Sequence, residues 1–365
     1  MREHKRIVVS AVNLVEGGTL TVLLRFLESA RSTLPDEWQI IALVHEPSIV
    51  QIPGVETMAF PAVKGSWLRR MWFEYWQCRA LSKTLNADFW LAMHDMTPRI
   101  QARRQAVYCH NPAPFFKVTR REAFLQPKLL AFKNLYGAMY RINMHRNHAV
   151  IVQQEWLREE FQRRYGANHV IVARPVGHDA DQGATLHHRL GTVFLYPALA
   201  RPFKNFELIF KAARLLEQRA DWHGEIRLTL GGQENRYARA LAVEYADCRS
   251  VSLIGLQPAQ SMKRQYAEAH CLLFPSRRET WGLPLTEGKA HGLAILAADL
   301  PYAHESVGTY NGVAFVNVDD PAELASKMLA FQDGTLVFTP HNPPTPAEPY
   351  APNWSALVRM LTDGL

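Results

Sequence analysis

"HCLLFPSRRETWGLPLTEGKAHG" (270–292) reads as a strand, a polar loop and a helix in immediate succession. Cys271-Leu272-Leu273-Phe274 is an apolar run of strand length, closed by Pro275-Ser276. Two arginines and Glu279 follow. Gly282 and Pro284 mark the turn into a helix, where a proline loses nothing by lacking an N–H. Gly292 reads as the stop signal. A strand–loop–helix unit aims a helix N-terminus at the carboxyl edge of a sheet. Open parallel sheets take their ligands there, and phosphate suits that N-terminus.

Glu279 lies in the loop, and Glu287 lies one turn inside the helix. A carboxylate beside a phosphate is costly unless it accepts hydrogen bonds, and sugar hydroxyls supply such donors. The stretch therefore suggests a site for a phosphate flanked by hydroxylated groups, such as a nucleotide-sugar. The other reading is an ordinary helix start with two solvated glutamates.

The same residues, "FPSRRETWGLPLTEGKAHG", resemble the E-x7-E signature of family 4 retaining glycosyltransferases. The flanking "VSLIGLQPAQSMKRQYAEAHCLLFPS" and "LAILAADLPYAHESVG" resemble that family too. The resemblance covers roughly 190–330, with weaker echoes before it. It implies an α/β chain of the GT-B fold, with two Rossmann-like domains facing across a cleft. The expected divisions are 1–178, an acceptor-side domain; 190–340, a nucleotide-sugar domain; and 341–365, a tail returning to the first domain.

With 365 residues, the chain exceeds one typical core. No apolar run reaches the ~18 residues of a membrane span. The N-terminus, "MREHKRIVVSAVNLVEGG", runs straight into a strand-like segment without a small-residue cleavage site, so it does not read as a signal peptide. Four scattered cysteines show neither metal-ligand nor disulfide spacing, which favours a reducing cytoplasm. The net charge of +7 is uneven: residues 1–180 carry 24 Lys/Arg against 15 Asp/Glu, and the remainder 17 against 19. The first half is expected to meet an anionic partner.

Along the chain, 6–14 reads as a first strand, with Gly17-Gly18 before a helix; the pair suggests a tight turn or a close approach of backbone to ligand. Strands are expected at 38–47 and 55–63. Residues 67–81 are helical, with Trp67, Trp72, Phe73 and Trp76 beside arginines, either as core or at a membrane surface. His94 and Asp95 end one strand, His110 and Asn111 the next. Residues 97–147 carry ten Lys/Arg against one acid, and 121–146 mix basic and apolar residues at helical spacing, as for docking on anionic lipid headgroups. Nucleic acid is the competing partner for a basic face, but no recognition module supports it, so no nucleic acid is expected. Residues 176–190 read as the interdomain connection.

In the second half, Arg201 and Lys204 precede a helix that Asn205 is expected to cap. Two cations at a helix N-terminus make a pyrophosphate clamp. Gly231-Gly232 ends a strand where a nucleotide could enter, and 334–353 reads as an extended crossing segment.

The resemblance implies roles for these residues. Lys204 and Arg201 would hold the donor diphosphate, although Pro197-Ala198 stands where many members carry Gly-Arg. Glu279 would bind the transferred sugar and Glu287 the ribose. The backbone of Thr280, Trp281, Gly282 and Leu283, with Gly232, would border the donor. His110 would help place the sugar, with Asp95 beside it, and Gly17 and Gly18 would line the cleft. The implied reaction moves a hexose from a nucleotide-diphosphate sugar to a lipid-linked or oligosaccharide acceptor with anomeric retention. No cofactor and no metal is expected. The implied place is cytoplasmic, peripheral at the inner face of the membrane.

Overall fold

The computed structural model describes residues 4–116, 128–176, 186, 191–338 and 340–365. The expected connection at 176–190, Val176 and Leu186 apart, and residues 117–127 of the basic stretch lie outside them. Two compact units emerge: Met1–Phe115, Ala131–Asp179 and Thr345–Leu365 in one, Phe116–Leu130 and Ala180–Pro344 in the other.

The first unit alternates strands and helices: β1 (Lys5–Ser10), α1 (Gly17–Thr33), β2 (Trp38–Val44), β3 (Val55–Ala59), α2 (Trp67–Trp72), α3 (Cys78–Leu85), β4 (Phe89–Ala92), β5 (Arg104–Tyr108), α4 (Lys128–Arg141), β6 (Ala149–Val152), α5 (Glu155–Tyr165) and β7 (Val170–Ala173). The strands expected at 38–47 and 55–63 are shorter, because pairing stops at Val44↔Ala59, ahead of His45-Glu46-Pro47 and Phe60-Pro61. Pro47–Ile49 instead forms a 3-10 turn. The helix expected over 67–81 is interrupted by a π turn, Phe73–Gln77, which joins α2 to α3.

The second unit repeats the alternation: β8 (Val193–Tyr196), α6 (Phe206–Leu216), β9 (Glu225–Leu228), α7 (Arg236–Glu244), β10 (Val251–Leu253), α8 (Ala259–Glu268), β11 (Cys271–Phe274), α9 (Leu283–Ala290), β12 (Ala294–Ala298), α10 (Pro301–Val307), β13 (Val313–Val316) and α11 (Pro321–Gln332). In the tail, β14 (Tyr350–Ala351) joins β7, and α12 (Trp354–Thr362) sets Trp354 edge-on against Phe26 of α1. Leu357, Val358 and Leu361 complete the buried stripe of α12, and Asn353 caps it by accepting from the Ala356 N–H at 2.9 Å.

Both sheets are wholly parallel. The first runs β14-β7-β6-β5-β4-β1-β2-β3 and the second β10-β9-β8-β11-β12-β13. Helices cover both faces, so strands such as Cys271–Phe274 are buried at every position and read as continuous apolar runs. In each sheet the strand order reverses beside its first strand: between β1 and β4, and between β8 and β11. Loops leaving the carboxyl ends at such a reversal diverge and open a crevice for ligands. Asp95, Arg201, Lys204 and Glu279 follow strands at these reversals, while His110 and Gly232 follow the adjoining strands β5 and β9.

Candidate active site

In the second unit the reversal brings together the loops after β8 and β11. Pro202–Lys204 forms a 3-10 turn, and the Tyr196 hydroxyl donates to the Lys204 carbonyl at 2.6 Å. Asn205 has a left-handed backbone (φ 60°) and does not cap α6, contrary to expectation. That conformation turns its side-chain amide towards the Val318 carbonyl at 2.9 Å and the Pro275 carbonyl at 3.3 Å. The Arg277 N–H donates to the Phe203 carbonyl at 2.8 Å, which ties the two loops by a main-chain bond.

This frame sets the Lys204 ammonium directly against Glu279 Oε1 in a close ion pair, with both side chains about 15% exposed. The ammonium also stands 5.7 Å from the rings of Phe203 and Phe274. Partial burial leaves the pair little water, so each charge depends on the other. An anion reaching Lys204 would compete with Glu279 and leave that carboxylate free to accept from hydroxyls. Arg201 lies exposed three residues before Lys204, and Lys204 N–H donates to its carbonyl at 2.9 Å.

The loop then rises to α9. The Trp281 indole is buried and donates to Thr286 Oγ1 at 2.9 Å, which locks the loop to the first turns of the helix. Thr280 is half-buried beside it. Gly282 has φ 83°, and a Cβ there would stand 2.9 Å from Phe274 Cε1. Leu283 opens the helix, and Pro284 takes its second position. Glu287 follows within α9, and the buried Tyr266 hydroxyl of α8 donates to its Oε2 at 2.6 Å. The His291 ring stacks on Tyr266 with centroids 5.1 Å apart. Gly292 ends the turn in the left-handed region, as expected of a stop signal.

The glycine loop after β9 adds a carboxylate. Gly232 has φ 84°, and the Gly231 N–H donates to Glu234 Oε1 at 2.5 Å. Partial burial pushes the Glu234 carboxyl up, but backbone N–H groups of this loop outweigh it and hold the carboxyl below its ordinary range. Asn235 caps α7 and donates to the Ala200 carbonyl at 2.8 Å, tying this loop to the one after β8.

In the first unit, Gly17 and Gly18 open α1 after β1, exposed, with Gly17 at φ 63°. His94 and Asp95 follow β4, and His110 follows β5. Asp95 is buried. Its Oδ1 accepts the N–H groups of His110 (2.8 Å) and Asn111 (3.1 Å) and the Tyr140 hydroxyl (3.1 Å). Asp95 therefore organises the His110 loop from beneath. His110 Nε2 stands 3.7 Å from Asp95 Oδ2. Burial lowers the His110 pKa below its usual 6.5; Asp95 opposes this, while Arg70 and His94 add to it. Burial thus favours the uncharged imidazole.

Two partners escape a reading of the chain alone. Tyr266 looks like an ordinary core aromatic of a helix. Glu74 sits in the π turn, which shifts the helical period, and is carried into the core 3.0 Å from His94 Nε2. Arg70 of the same helical stretch donates to the His94 carbonyl at 2.6 Å.

Residues 191–333 match the family described as glycosyl transferases group 1. The O-antigen chain mannosyltransferase RfbU of Salmonella typhimurium is 21% identical over 311 residues, which cover 81% of this chain and 82% of that protein. Among solved structures, sucrose-phosphate synthase from Thermosynechococcus elongatus superposes with a TM-score of 0.63 at 15% identity, covering 92% of this chain and 95% of that one. WaaG, a glycosyltransferase involved in lipopolysaccharide biosynthesis, superposes with a TM-score of 0.62 at 14% identity, covering 98% and 95%. Residues 191–333 thus match a group 1 glycosyl transferase domain, on a chain with the two-domain, Rossmann-like GT-B fold.

Proposed function

We propose that the chain transfers a hexose, mannose and rhamnose being examples, from a nucleotide-diphosphate sugar to a lipid-linked glycan acceptor in the assembly of a cell-surface polysaccharide, lipopolysaccharide O-antigen or capsule. The observation that carries this reading is the Lys204 and Glu279 pair at the strand-order reversal, with Glu287 fixed nearby on the same strand–loop–helix unit. Lys204, helped by Arg201, neutralises the departing diphosphate, which is electrostatic stabilisation of developing charge. Glu279, released from Lys204, accepts from hydroxyls of the sugar. Glu287 accepts from the ribose. His110 is assigned the placing of the sugar. The reaction retains the anomeric configuration and uses no covalent nucleophile. The relatives concerned with O-antigen and lipopolysaccharide support the acceptor class.

Lysine and arginine supply the positive charge at the diphosphate, so the transfer proceeds without a divalent metal. Undiminished turnover in excess EDTA is expected; a strict need for magnesium or manganese would refute this part. The decisive assay incubates the protein with UDP-, GDP- and dTDP-sugars, with and without a lipid-linked glycan. Transfer that requires acceptor supports the reading. Interconversion of the sugar nucleotide without acceptor would make the protein an epimerase, and sugar-phosphate release with inorganic phosphate a phosphorylase. Failure to bind any nucleotide would favour a non-catalytic surface protein.

An anionic membrane surface is the proposed location. No helix among the described residues is long and apolar enough to cross a membrane. Leu68, Trp72 and Trp76 are exposed at four-residue spacing, and the two indoles stack at 5.2 Å. Lys64, Arg69, Arg79 and Lys83 are exposed around them. Aromatic residues ringed by cations suit the headgroup region. Retention of Trp72→Ser/Trp76→Ser on anionic vesicles at the wild-type level would refute it.

A further inference from the structure

We propose that the amino edge of the first unit's sheet holds a second anion site, shaped for a phosphate or diphosphate group. It belongs to neither strand-order reversal and does not depend on the donor reading. A recess of about 400 Å³ opens there, at the starts of β5 and β6, and Arg103, Arg104, Arg146 and His148 line it. No acidic side chain contributes to the lining.

The floor is rigid. Gln105 is buried and donates to Asn147 Oδ1 at 3.3 Å and to the Pro98 carbonyl at 3.2 Å. The Asn147 amide donates to Thr97 Oγ1 at 2.8 Å. The His148 N–H closes the floor on the Gln105 carbonyl at 2.7 Å. Arg104 is anchored from the side by donating to the Asp363 carbonyl at 2.5 Å, a bond that leaves its charge uncancelled.

The cations above this floor are under-compensated. Arg103 is largely exposed and approaches Asp88 no closer than 3.8 Å, a weak pairing. Arg146 is exposed and pairs with nothing among the described residues. At His148 proton affinity is lowered first by partial burial, then by the nearby Arg104 and His169. A concave, hydrogen-bonded floor under three guanidiniums, with no carboxylate in the lining, suits a group that accepts several N–H bonds at once. Phosphate oxygens do so. The same chemistry is offered by a soluble phosphate or diphosphate and by a phospholipid headgroup.

The test follows the His148 ring by NMR in the full chain. Sodium pyrophosphate is titrated in one arm; in the other, vesicles of phosphatidylcholine with or without phosphatidic acid. A bound anion relieves the repulsion at His148, so its pKa rises and its signals shift saturably. A response to pyrophosphate assigns a soluble ligand. A response to phosphatidic acid vesicles alone assigns a headgroup. Arg103→Gln/Arg146→Gln should weaken the response by about tenfold or more, with an unchanged melting temperature because neither guanidinium holds the fold. Lys204→Ala should leave the His148 response intact, which separates this site from the diphosphate site of the second unit. A His148 ring unmoved by both probes, or moved equally in the double variant, overturns the proposal.

Discussion

The Tyr266 hydroxyl donates to Glu287 Oε2 at 2.6 Å, a bond that engages one of the two carboxylate oxygens. Glu287 is thus oriented by a neighbouring helix before any nucleotide arrives. Pre-orientation lowers the entropy cost of binding. We predict that Tyr266→Phe weakens nucleotide binding by about tenfold, the ~1.5 kcal/mol scale of a hydrogen bond to a charged group. The loss should appear in the donor KM and in calorimetric affinity while kcat stays near wild type. Glu287→Ala should weaken binding further, and unchanged affinity there would remove the ribose role.

The pairing of Lys204 with Glu279 implies that each variant exposes the other's charge. Lys204→Ala should lower kcat by about 10²–10³-fold, the ~2.7–4 kcal/mol lost with one donor to a developing oxyanion. Binding of the sugar-free nucleotide should change far less. Wild-type turnover in this variant would exclude Lys204 as the diphosphate cation.

How far the chain could be read without its structure follows from the kind of interaction involved. The strand Cys271–Phe274 and its helix were legible because a parallel strand buried on both faces is a continuous apolar run. The contact between Lys204 and Glu279 was not, because it spans 75 positions and exists only through the order of β8 and β11. Asn205 carried a capping residue type, but its left-handed backbone sends the amide to carbonyls of two other loops. Glu74 was hidden for a different reason: a π turn advances the helical face by one residue, so a charge in the core has no periodic signature.

His110 makes a prediction about pH. Burial lowers its folded-state pKa below the 6.5 of an ordinary histidine. As pH falls through 6.5, the unfolded chain takes up a proton at this residue before the folded chain does. Stability therefore falls from 6.5 down to the folded pKa and levels off below it. The part of the pH dependence that His110→Asn abolishes, measured by urea unfolding between pH 7 and 5, should have this sign. An NMR titration giving His110 a pKa of 6.5 or higher would contradict the uncharged imidazole that burial favours.

Gly282 is the position where backbone and chemistry are most tightly joined. Its φ of 83° is left-handed, and an added Cβ would meet Phe274 Cε1 at 2.9 Å and Leu285 Cδ1 at 3.3 Å. Gly282→Ala thus forces both a strained conformation, costing about 1–2 kcal/mol, and a shift of Phe274, whose ring flanks Lys204. The melting temperature of the second domain should drop by about 2–8 °C, since each kcal/mol moves a domain of this size by ~2–4 °C. Turnover should fall more than stability explains, because the displaced ring and loop carry Lys204 and Glu279 with them. Full kcat in the folded variant would show that the left-handed turn serves the fold alone.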